Sequence, residues 1–397
     1  MKITDVRTPV VAALLGLAVA VTAPTPATAK PTDRPPADRL PAAVACPADD
    51  LAGTALRQAI AGLPTPEATS AQLRLTTPAG CWQGSDGVAD LRSRGPVPAD
   101  ARFRIGSVTK VFTAAMVLQL AAEQRVDLAT PVQRYLPGLL PPDYPPVTVR
   151  QLLNHTSGLP SPTVPGDLEW WLAHRYDRWT AEQIVRLGLE NPREFEPGTR
   201  QHYTNMGFIV AGLLIERVTG HSYAHELDRR IVRPLGLRGT SAPLPSPAIA
   251  GPHAHGYQAV TRDGRTELVD VTNWSQSFTP ASGNLISTLA DLDIFLDALL
   301  GGRVVPAGQL AEMFTVPAVE DVAGGPATYS AGLQAYRLPD GRTLWIKTGS
   351  RYGYLAAVAV SRDATFRLVY SVTSTDARGN GRPAVVQAII GAALAAF

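Results

Sequence analysis

A serine and a lysine three residues apart could act together as a nucleophile and its base. Ser107 and Lys110 begin a long apolar stretch without glycine or proline, which predicts a helix from Ser107 to Glu123. Side chains at this spacing lie on one face of a helix. A serine hydroxyl is a weak nucleophile until a base takes its proton, and a partly desolvated lysine can be that base. Alone, the Ser-x-x-Lys spacing is equally typical of a solvated helix surface.

Two later segments carry groups that could complete such a site. Tyr203 and Asn205 precede an apolar run at 206–218, which predicts a second helix. A Lys-Thr-Gly triplet at 347–349 follows an alternating segment at 343–346, which predicts a strand. The three segments are far apart along the chain, so only the fold could bring them together.

These three motifs, in this order, form the signature of the penicillin-recognising serine enzymes. The chain resembles the serine β-lactamase and DD-peptidase superfamily. It is most similar to exported D-alanyl-D-alanine carboxypeptidases and to their class C β-lactamase and esterase relatives. The resemblance runs from about residue 50 to the end and includes the segments 152–159, 197–199 and 282–287.

The resemblance implies a catalytic role for each motif. Ser107 would attack the substrate carbonyl to form an acyl-enzyme, helped by the helix dipole and with Lys110 as its base. Tyr203 would pass a proton to the leaving group and activate water for deacylation. Its phenolate would need the field of Lys110 and Lys347, which would also attract a substrate carboxylate. Asn205 would hold the substrate amide and accept a hydrogen bond from Lys110.

Further residues would bind the substrate. Thr348 and Gly349 would let the substrate pair with the edge strand as an added strand. The backbone N–H groups of Ser107 and Ser350 would form the oxyanion hole. Trp274 resembles an aromatic wall of the substrate cleft, although a structural tryptophan fits the sequence nearly as well.

One position departs from the carboxypeptidase pattern. In the closest carboxypeptidases, an arginine on the strand before the third motif holds the terminal carboxylate of the peptide. Counting back from Lys347 without gaps puts Gln334 at this position, while Arg337 and Arg342 are out of register. We expect Gln334 to weaken recognition of a D-Ala-D-Ala carboxylate and to leave acyl transfer intact.

The N-terminus predicts export. Lys2 and Arg7 precede an apolar run at 10–21 that ends near an Ala-Thr-Ala cleavage site, so we expect a signal peptide at 1–29. The apolar run is shorter than the roughly 20 residues of a membrane span, which argues against an anchor. We expect a secreted protein with a proline-rich linker at 30–45.

The cysteine content predicts a disulfide and no metal. Cys46 and Cys81 are the two cysteines of the chain, and an even pair outside the cell predicts one disulfide, with two free thiols as the alternative. Two isolated cysteines without a nearby histidine cluster do not make a zinc site. We expect His155 to be a buried structural histidine. We expect neither a metal nor a cofactor.

The predicted elements define a fold class. The 397 residues, of which 45% are hydrophobic, provide a substantial core for one domain at 46–397. Strands at both ends and helices at about 125–280 predict an α/β (α+β) fold, in which an antiparallel sheet is flanked by helices and carries an α-helical insert. The resemblance implies a β-lactamase/transpeptidase-like architecture with the site between sheet and insert.

We therefore predict an exported serine hydrolase with an acyl-serine intermediate, and D-alanyl-D-alanine carboxypeptidase acting on cell-wall peptides is the leading assignment. A β-lactamase, a D-amino-acid peptidase or an esterase is the alternative within the same fold. A non-catalytic penicillin-binding sensor is the alternative from another class. Expected partners are peptidoglycan stem peptides or other small amides and esters, and β-lactams. A net charge of +2 provides no basic field for nucleic acid, and we expect a monomer without a stable membrane anchor.

Overall fold

The computed structural model describes residues 46, 51–164, 166–379 and 381–397. The signal peptide and linker expected at 1–45 lie outside the described residues. The α-helices are α1 (Leu51–Ile60), α2 (Thr109–Ala122), α3 (Val149–Leu153), α4 (Leu168–Ala173), α5 (Ala181–Leu189), α6 (Met206–Thr219), α7 (Tyr223–Leu227), α8 (Arg233–Leu235), α9 (Leu289–Leu300), α10 (Ala307–Leu310) and α11 (Ala384–Leu394). The strands are β1 (Ala68–Thr77), β2 (Gly80–Gly87), β3 (Phe103–Arg104), β4 (Arg200–Gln201), β5 (Tyr257–Arg262), β6 (Arg265–Asp270), β7 (Ile286–Ser287), β8 (Glu320–Asp321), β9 (Gln334–Arg337), β10 (Thr343–Arg351), β11 (Tyr354–Val360) and β12 (Arg367–Ser374).

Six strands form one antiparallel sheet in the order β2-β1-β12-β11-β10-β9. The first and last long strands are neighbours, because β1 pairs with β12 from Ala68 opposite Ser374 to Thr76 opposite Arg367. Both ends of the domain therefore build the same sheet, and the helical part of the chain is inserted between them. The predicted fold class, an antiparallel sheet flanked by helices, is confirmed.

The sheet separates two apolar cores. Helices α1 and α11 cover one face, where Leu56 and Ile389 pack with Leu73 and Leu344 of the strands. Helices α2 and α9 cover the other face and contact residues such as Trp345. Every residue from 109 to 118 in α2 is buried, which is the pattern of a helix surrounded by protein on all sides. This central helix follows directly on Ser107.

The region between β3 and β7 contains more than helices. A two-stranded hairpin, β5–β6, turns through Asp263 and Gly264, both with positive φ. An Asp-Gly pair between alternating segments is a strong sequence signal for a two-residue hairpin turn, and it lies in the stretch that we expected to be helical. No helix among the described residues is both long and apolar enough to span a bilayer.

Cys46 and Cys81 form a disulfide that ties the segment before α1 to β2. The bridge joins residues 35 positions apart, at the edge of the sheet opposite β9. No free cysteine is present among the described residues.

We expect the double variant Cys46→Ser/Cys81→Ser to lose about 3 to 4 kcal/mol of free energy of unfolding, because a disulfide mainly restricts the unfolded chain. Urea denaturation of both proteins without reductant measures the difference. Thiol titration of the denatured, unreduced wild type provides the control and should find no thiol. Two reactive thiols, or equal stability of the two proteins, would contradict the prediction.

Candidate active site

Two glycines hold Ser107 against strand β10. Gly106 begins a 3-10 turn, Gly106–Val108, with a φ of +48°, and a Cβ there would lie 2.6 Å from the backbone nitrogen of Ser350. A Cβ on Gly349 would lie 2.0 Å from the carbonyl oxygen of Ile105 and 3.0 Å from the backbone nitrogen of Ser107. Neither position has room for a side chain, so the turn and the strand are in direct backbone contact. Ser107 therefore stands at the junction between the central helix and the sheet.

The amine of Lys110 has three partners around it. Its Nζ lies 3.2 Å from Ser107 Oγ, 2.7 Å from Asn205 Oδ1 and 2.9 Å from the carbonyl oxygen of Ser282. The amide and carbonyl oxygens can only accept hydrogen bonds. A neutral amine would donate its two hydrogens to them and direct its lone pair at Ser107. The geometry thus suits Lys110 as the base that takes the serine proton.

Burial favours the neutral form of the Lys110 amine. It lowers the pKa of Lys110 from 10.5 to about 8, an effect that the nearby Tyr203 opposes and the charge of Lys347 strengthens. Burial also lowers the pKa of Lys347 from 10.5 to about 7. Neither lysine forms an ion pair with a carboxylate in the part of the chain that the structure describes. Without a counter-ion, hydrogen bonds to neutral oxygens compensate only in part for the lost hydration of the charged amines.

Tyr203 lies between the two lysines. Its ring centroid is 5.0 Å from Lys110 Nζ and 4.5 Å from Lys347 Nζ. Its hydroxyl is buried and has no hydrogen-bond partner among the described residues. Two amines of lowered pKa beside one phenol form a group that can pass protons, because such amines exchange protons near neutral pH.

Two aromatic side chains hold the ring of Tyr203. The His155 ring packs at 4.5 Å and the Tyr329 ring at 4.9 Å from it, measured between centroids. His155 has a φ of +62°, and its Nδ1 accepts a hydrogen bond from the backbone N–H of Thr204. Burial is the main cause that lowers its pKa well below 6.5, so the imidazole is neutral. His155 is buried, as expected, and it positions Tyr203.

The edge of β10 beside Ser107 is open. Strand β9 pairs with β10 only as far as Gln334 opposite Ile346. From Lys347 to Arg351, this edge has no strand partner among the described residues. An extended substrate can pair with such an edge. The Ser350 side chain donates a hydrogen bond to the carbonyl oxygen of Ala377, so its hydroxyl is held away while its backbone remains beside Gly106.

Gln334 does not join the site. It pairs directly with Ile346, so the two side chains share the face of the sheet toward α11, opposite to that of Lys347. Its amide donates a hydrogen bond to Thr328 Oγ1 at 3.2 Å. The ungapped count reached the right strand, but the register turns this side chain away from Ser107. The expectation that Gln334 contacts the substrate is therefore corrected.

Trp274 is a core residue beside the site. It is 4% exposed, packs with Leu172 and Val271, and stacks on Tyr352 at 4.5 Å between ring centroids. The structural alternative for this tryptophan therefore describes its position better than a cleft wall does. Tyr352, which directly follows β10, is the more exposed ring of the pair.

A family model described as Beta-lactamase matches residues 67–393. The chain belongs to the β-lactamase family. Its fold is of the β-lactamase/transpeptidase, class C-like type.

Solved structures of the β-lactamase fold match nearly the whole described chain. A D-stereospecific amidohydrolase from Streptomyces sp. is 32% identical with a TM-score of 0.74, and the match covers 87% of this chain and 99% of that one. D-amino acid amidase from Ochrobactrum anthropi SV3, complexed with D-phenylalanine, is 25% identical with a TM-score of 0.73 and the same coverage of 87% and 99%.

Curated β-lactamase-fold relatives match over shorter segments. Penicillin-binding protein 4* of Bacillus subtilis is 30% identical over 165 residues, which are 40% of this chain and 34% of that protein. Esterase EstB of Burkholderia gladioli is 32% identical over 176 residues, which are 40% of this chain and 42% of the esterase. The chain thus spans less than half the length of these two relatives.

The structure brings together Ser107, Lys110, Tyr203, Asn205 and Lys347, with Thr348, Gly349 and Ser350 on the adjoining edge of β10. The sequence analysis did not predict two further groups next to these residues. The Ser282 carbonyl belongs to the segment 282–287 that the family resemblance includes, so a signal existed for it. Tyr329 lies in an irregular segment before β9 and carries no motif.

We expect kcat/KM on a neutral ester to rise with pH and to level off near pH 8, because Lys110 must be neutral to accept the serine proton. At pH 7, a pKa of about 8 leaves about a tenth of the amines neutral, whereas an ordinary pKa of 10.5 would leave about 0.03%. A pH–rate profile from 5.5 to 10.5 measures this. In the control Lys347→Arg, position 347 no longer titrates in this range. The limb should remain and move slightly below pH 8, because a permanent charge at 347 lowers the pKa of Lys110 further. A rate that still climbs above pH 10 would exclude this role for Lys110.

We expect Tyr203→Phe and Lys110→Ala each to lower kcat/KM by about 10²- to 10⁴-fold, because both belong to one proton path. The double variant should be little worse than the poorer single variant. Ester hydrolysis by the four proteins gives the comparison, and circular dichroism checks their folding. If the two losses multiply, the residues act independently and the shared path is wrong.

Proposed function

We propose that the protein is a serine amidohydrolase that transfers a D-aminoacyl group to Ser107 and then to water. The D-alanyl-D-alanine carboxypeptidase predicted from the sequence is one case, in which D-alanine of a cell-wall peptide leaves. The observation that carries the proposal is the contact of Lys110 with Ser107, Asn205 and Ser282, which suits a neutral amine. The 32% identity to a D-stereospecific amidohydrolase over 87% of the chain supports the choice of substrate class.

In the proposed acylation, Lys110 takes the proton of Ser107 as Oγ bonds to the substrate carbonyl carbon. The carbonyl oxygen becomes an oxyanion, and the backbone N–H groups of Ser107 and Ser350 are its proposed donors. Tyr203 then gives its proton to the leaving nitrogen or oxygen as that bond breaks, and the protonated Lys110 replaces it. In deacylation, the same groups take a proton from water as its oxygen bonds to the ester carbon, and they return this proton to Ser107 Oγ as the acyl bond breaks.

The side chain of Gln334 points away from the site. This favours amide and ester substrates whose leaving group has no free carboxylate over peptides that release D-alanine. With Gln334 on the opposite face, Lys347 is the charged side chain of β10 that remains on the Ser107 face at that end of the open edge. A pKa of about 7 means that Lys347 is only partly charged at neutral pH, so it holds a carboxylate weakly. The proposed class is therefore broader than carboxypeptidase.

Hydrolysis of esters or β-lactams is the second candidate. The 32% identity to an esterase over 176 residues favours it, and the proposed acylation requires only a carbonyl with a leaving group. A penicillin-binding sensor would have to stall as an acyl-enzyme. The buried hydroxyl of Tyr203 between two amines of lowered pKa favours deacylation and argues against the sensor.

We also propose that the protein is secreted and meets peptidoglycan stem peptides or other small amides and esters there. The support is the signal-like N-terminus at 1–29 together with the Cys46–Cys81 bridge. Disulfides persist in oxidising compartments and are rare in the cytosol of most organisms.

The test compares D- and L-phenylalanine p-nitroanilide, an acylated D-Ala-D-Ala dipeptide, p-nitrophenyl acetate and a chromogenic cephalosporin. We expect the D-anilide to exceed the L-anilide in kcat/KM by about 10- to 200-fold, because inverting the Cα of an edge-paired substrate turns its side chain to the other side. Ser107→Ala should abolish all turnover, and mass spectrometry should place a fluorescent penicillin on Ser107 in the wild type.

An L-preference, or no discrimination between the anilides, would overturn the proposed stereospecificity. Turnover of the cephalosporin or the acetate without turnover of any D-amide would favour the second candidate. A penicillin adduct that never clears, together with no turnover of any substrate, would point to the sensor.

A further inference from the structure

Arg351 is a buried cation without a counter-ion. It is the last residue of β10 and is 9% exposed. Its guanidinium makes no hydrogen bond or ion pair with any residue that the structure describes. Burying an unpaired charge is costly, and proteins usually avoid it by pairing or by metal binding. An unpaired guanidinium at the end of the open edge therefore suggests a partner that binds from outside.

Two further arginines add to the positive charge. Burial, followed by the charges of Arg378 and Arg104, lowers the pKa of Arg351 from 12.5 to about 9. The Ser350 hydroxyl bonds to the carbonyl of Ala377, which holds Arg378 beside β10, and the Arg378 guanidinium lies 5.5 Å from the Tyr352 ring centroid.

Arg104 provides positive charge from the protein interior. One of its nitrogens donates to the carbonyl oxygens of Pro247 and Thr272, at 2.5 and 2.7 Å. Its Nε and other terminal nitrogen are buried and have no partner among the described residues. Carbonyl oxygens satisfy part of this guanidinium but do not neutralise it.

No carboxylate of the described chain neutralises the cluster. Asp167 and Asp376 raise the pKa of Tyr352, so they lie in the neighbourhood, but neither forms an ion pair with Arg351, Arg378 or Arg104. Among the described residues, the site thus presents three guanidinium groups with no carboxylate in direct ion-pair contact.

The position of Arg351 along β10 indicates which part of a substrate would reach it. Every second residue of β10 lies on the face that meets Ser107, and this face includes Lys347, Gly349 and Arg351. Lys347 is the end beside Tyr203, the proposed proton donor to the leaving group. Arg351 lies at the opposite end, past the junction with Ser107. A group that reaches Arg351 therefore belongs to the acyl part of the substrate.

We propose that Arg351, supported by Arg378 and Arg104, binds a carboxylate on the acyl side of the substrate. This inference rests on the proposed function and narrows its substrate class to D-aminoacyl compounds with an acidic group upstream of the scissile bond. A guanidinium suits this role because it binds a carboxylate through two parallel hydrogen bonds. Arg351 thereby determines specificity and takes no part in proton transfer.

The kinetic test uses N-succinyl-D-phenylalanine p-nitroanilide and its neutral succinamide analogue, which differ only in the distal carboxylate. We expect the wild type to prefer the acid by about ten- to a hundredfold in kcat/KM. Arg351→Gln should bring the preference close to unity, and Arg378→Gln should reduce it partly. Arg337→Gln, which removes an exposed arginine of β9, is the matched control and should keep it. Equal use of the acid and the neutral compound by the wild type would overturn the proposal.

A second measurement does not depend on turnover. Succinate should raise the Tm of the wild type above its value in sodium chloride of equal ionic strength, because a ligand of the folded state stabilises it. Arg351→Gln should lose this response. Without succinate it should be at least as stable as the wild type, because the buried charge is gone. A succinate effect that survives in Arg351→Gln would overturn the subsite.

The two proposals can fail separately. If neither anilide reacts while p-nitrophenyl acetate is hydrolysed, the proposed D-specific function is wrong, and the Tm measurement still decides the subsite. If phosphate stabilises as well as succinate and the acid anilide has no kinetic advantage, Arg351 binds free anions and the substrate assignment is overturned.

Discussion

The candidate active site depends on the burial of Lys110, which has no counter-ion among the described residues. Its amine stays in the interior because Asn205 Oδ1 and the Ser282 carbonyl accept its hydrogens. Those partners come from the start of α6 and from the loop before β7, so three distant parts of the chain must meet for the amine to be held. The missing carboxylate keeps the pKa low and the lone pair available to Ser107. A carboxylate at the same place would stabilise the cation and remove the base.

The second constraint is the backbone contact between the turn at Gly106 and strand β10 at Gly349. It places Ser107, the proposed nucleophile, directly before the central helix, and its expected oxyanion donors on the turn and the sheet. Because both faces of the sheet are packed by helices, this contact is supported from two sides. The open edge from Lys347 to Arg351 is thus a rigid template, and its two ends differ in chemistry: a proton-transfer group at one end, a cluster of guanidinium groups at the other.

Sequence reasoning predicted the fold class and the residues that meet at Ser107, because motif residues and long apolar periodicities are local signals. It did not predict the face on which Gln334 lies, because an ungapped count ignores the loop between β9 and β10. The β5–β6 hairpin was missed although Asp263-Gly264 is a local turn signal. Ser282 lies in a segment that the family resemblance includes, but the role of its carbonyl was missed. Tyr329 and Arg351 were missed for a different reason: their roles come from tertiary contacts, which leave no spacing pattern in the chain.

The pairing of β1 with β12 has a consequence for the order in which the parts of the chain can fold. Thr69 and Thr373 meet in this pair, 304 positions apart, and the nucleophile's helix is buried against the sheet that they help to close. Contacts between residues so distant are slow to form, and none of these can form until the last strand is available. A ribosome or a translocation pore would therefore release almost the entire chain before the sheet could close. The proposed site would therefore stay incomplete until β12 had joined the sheet.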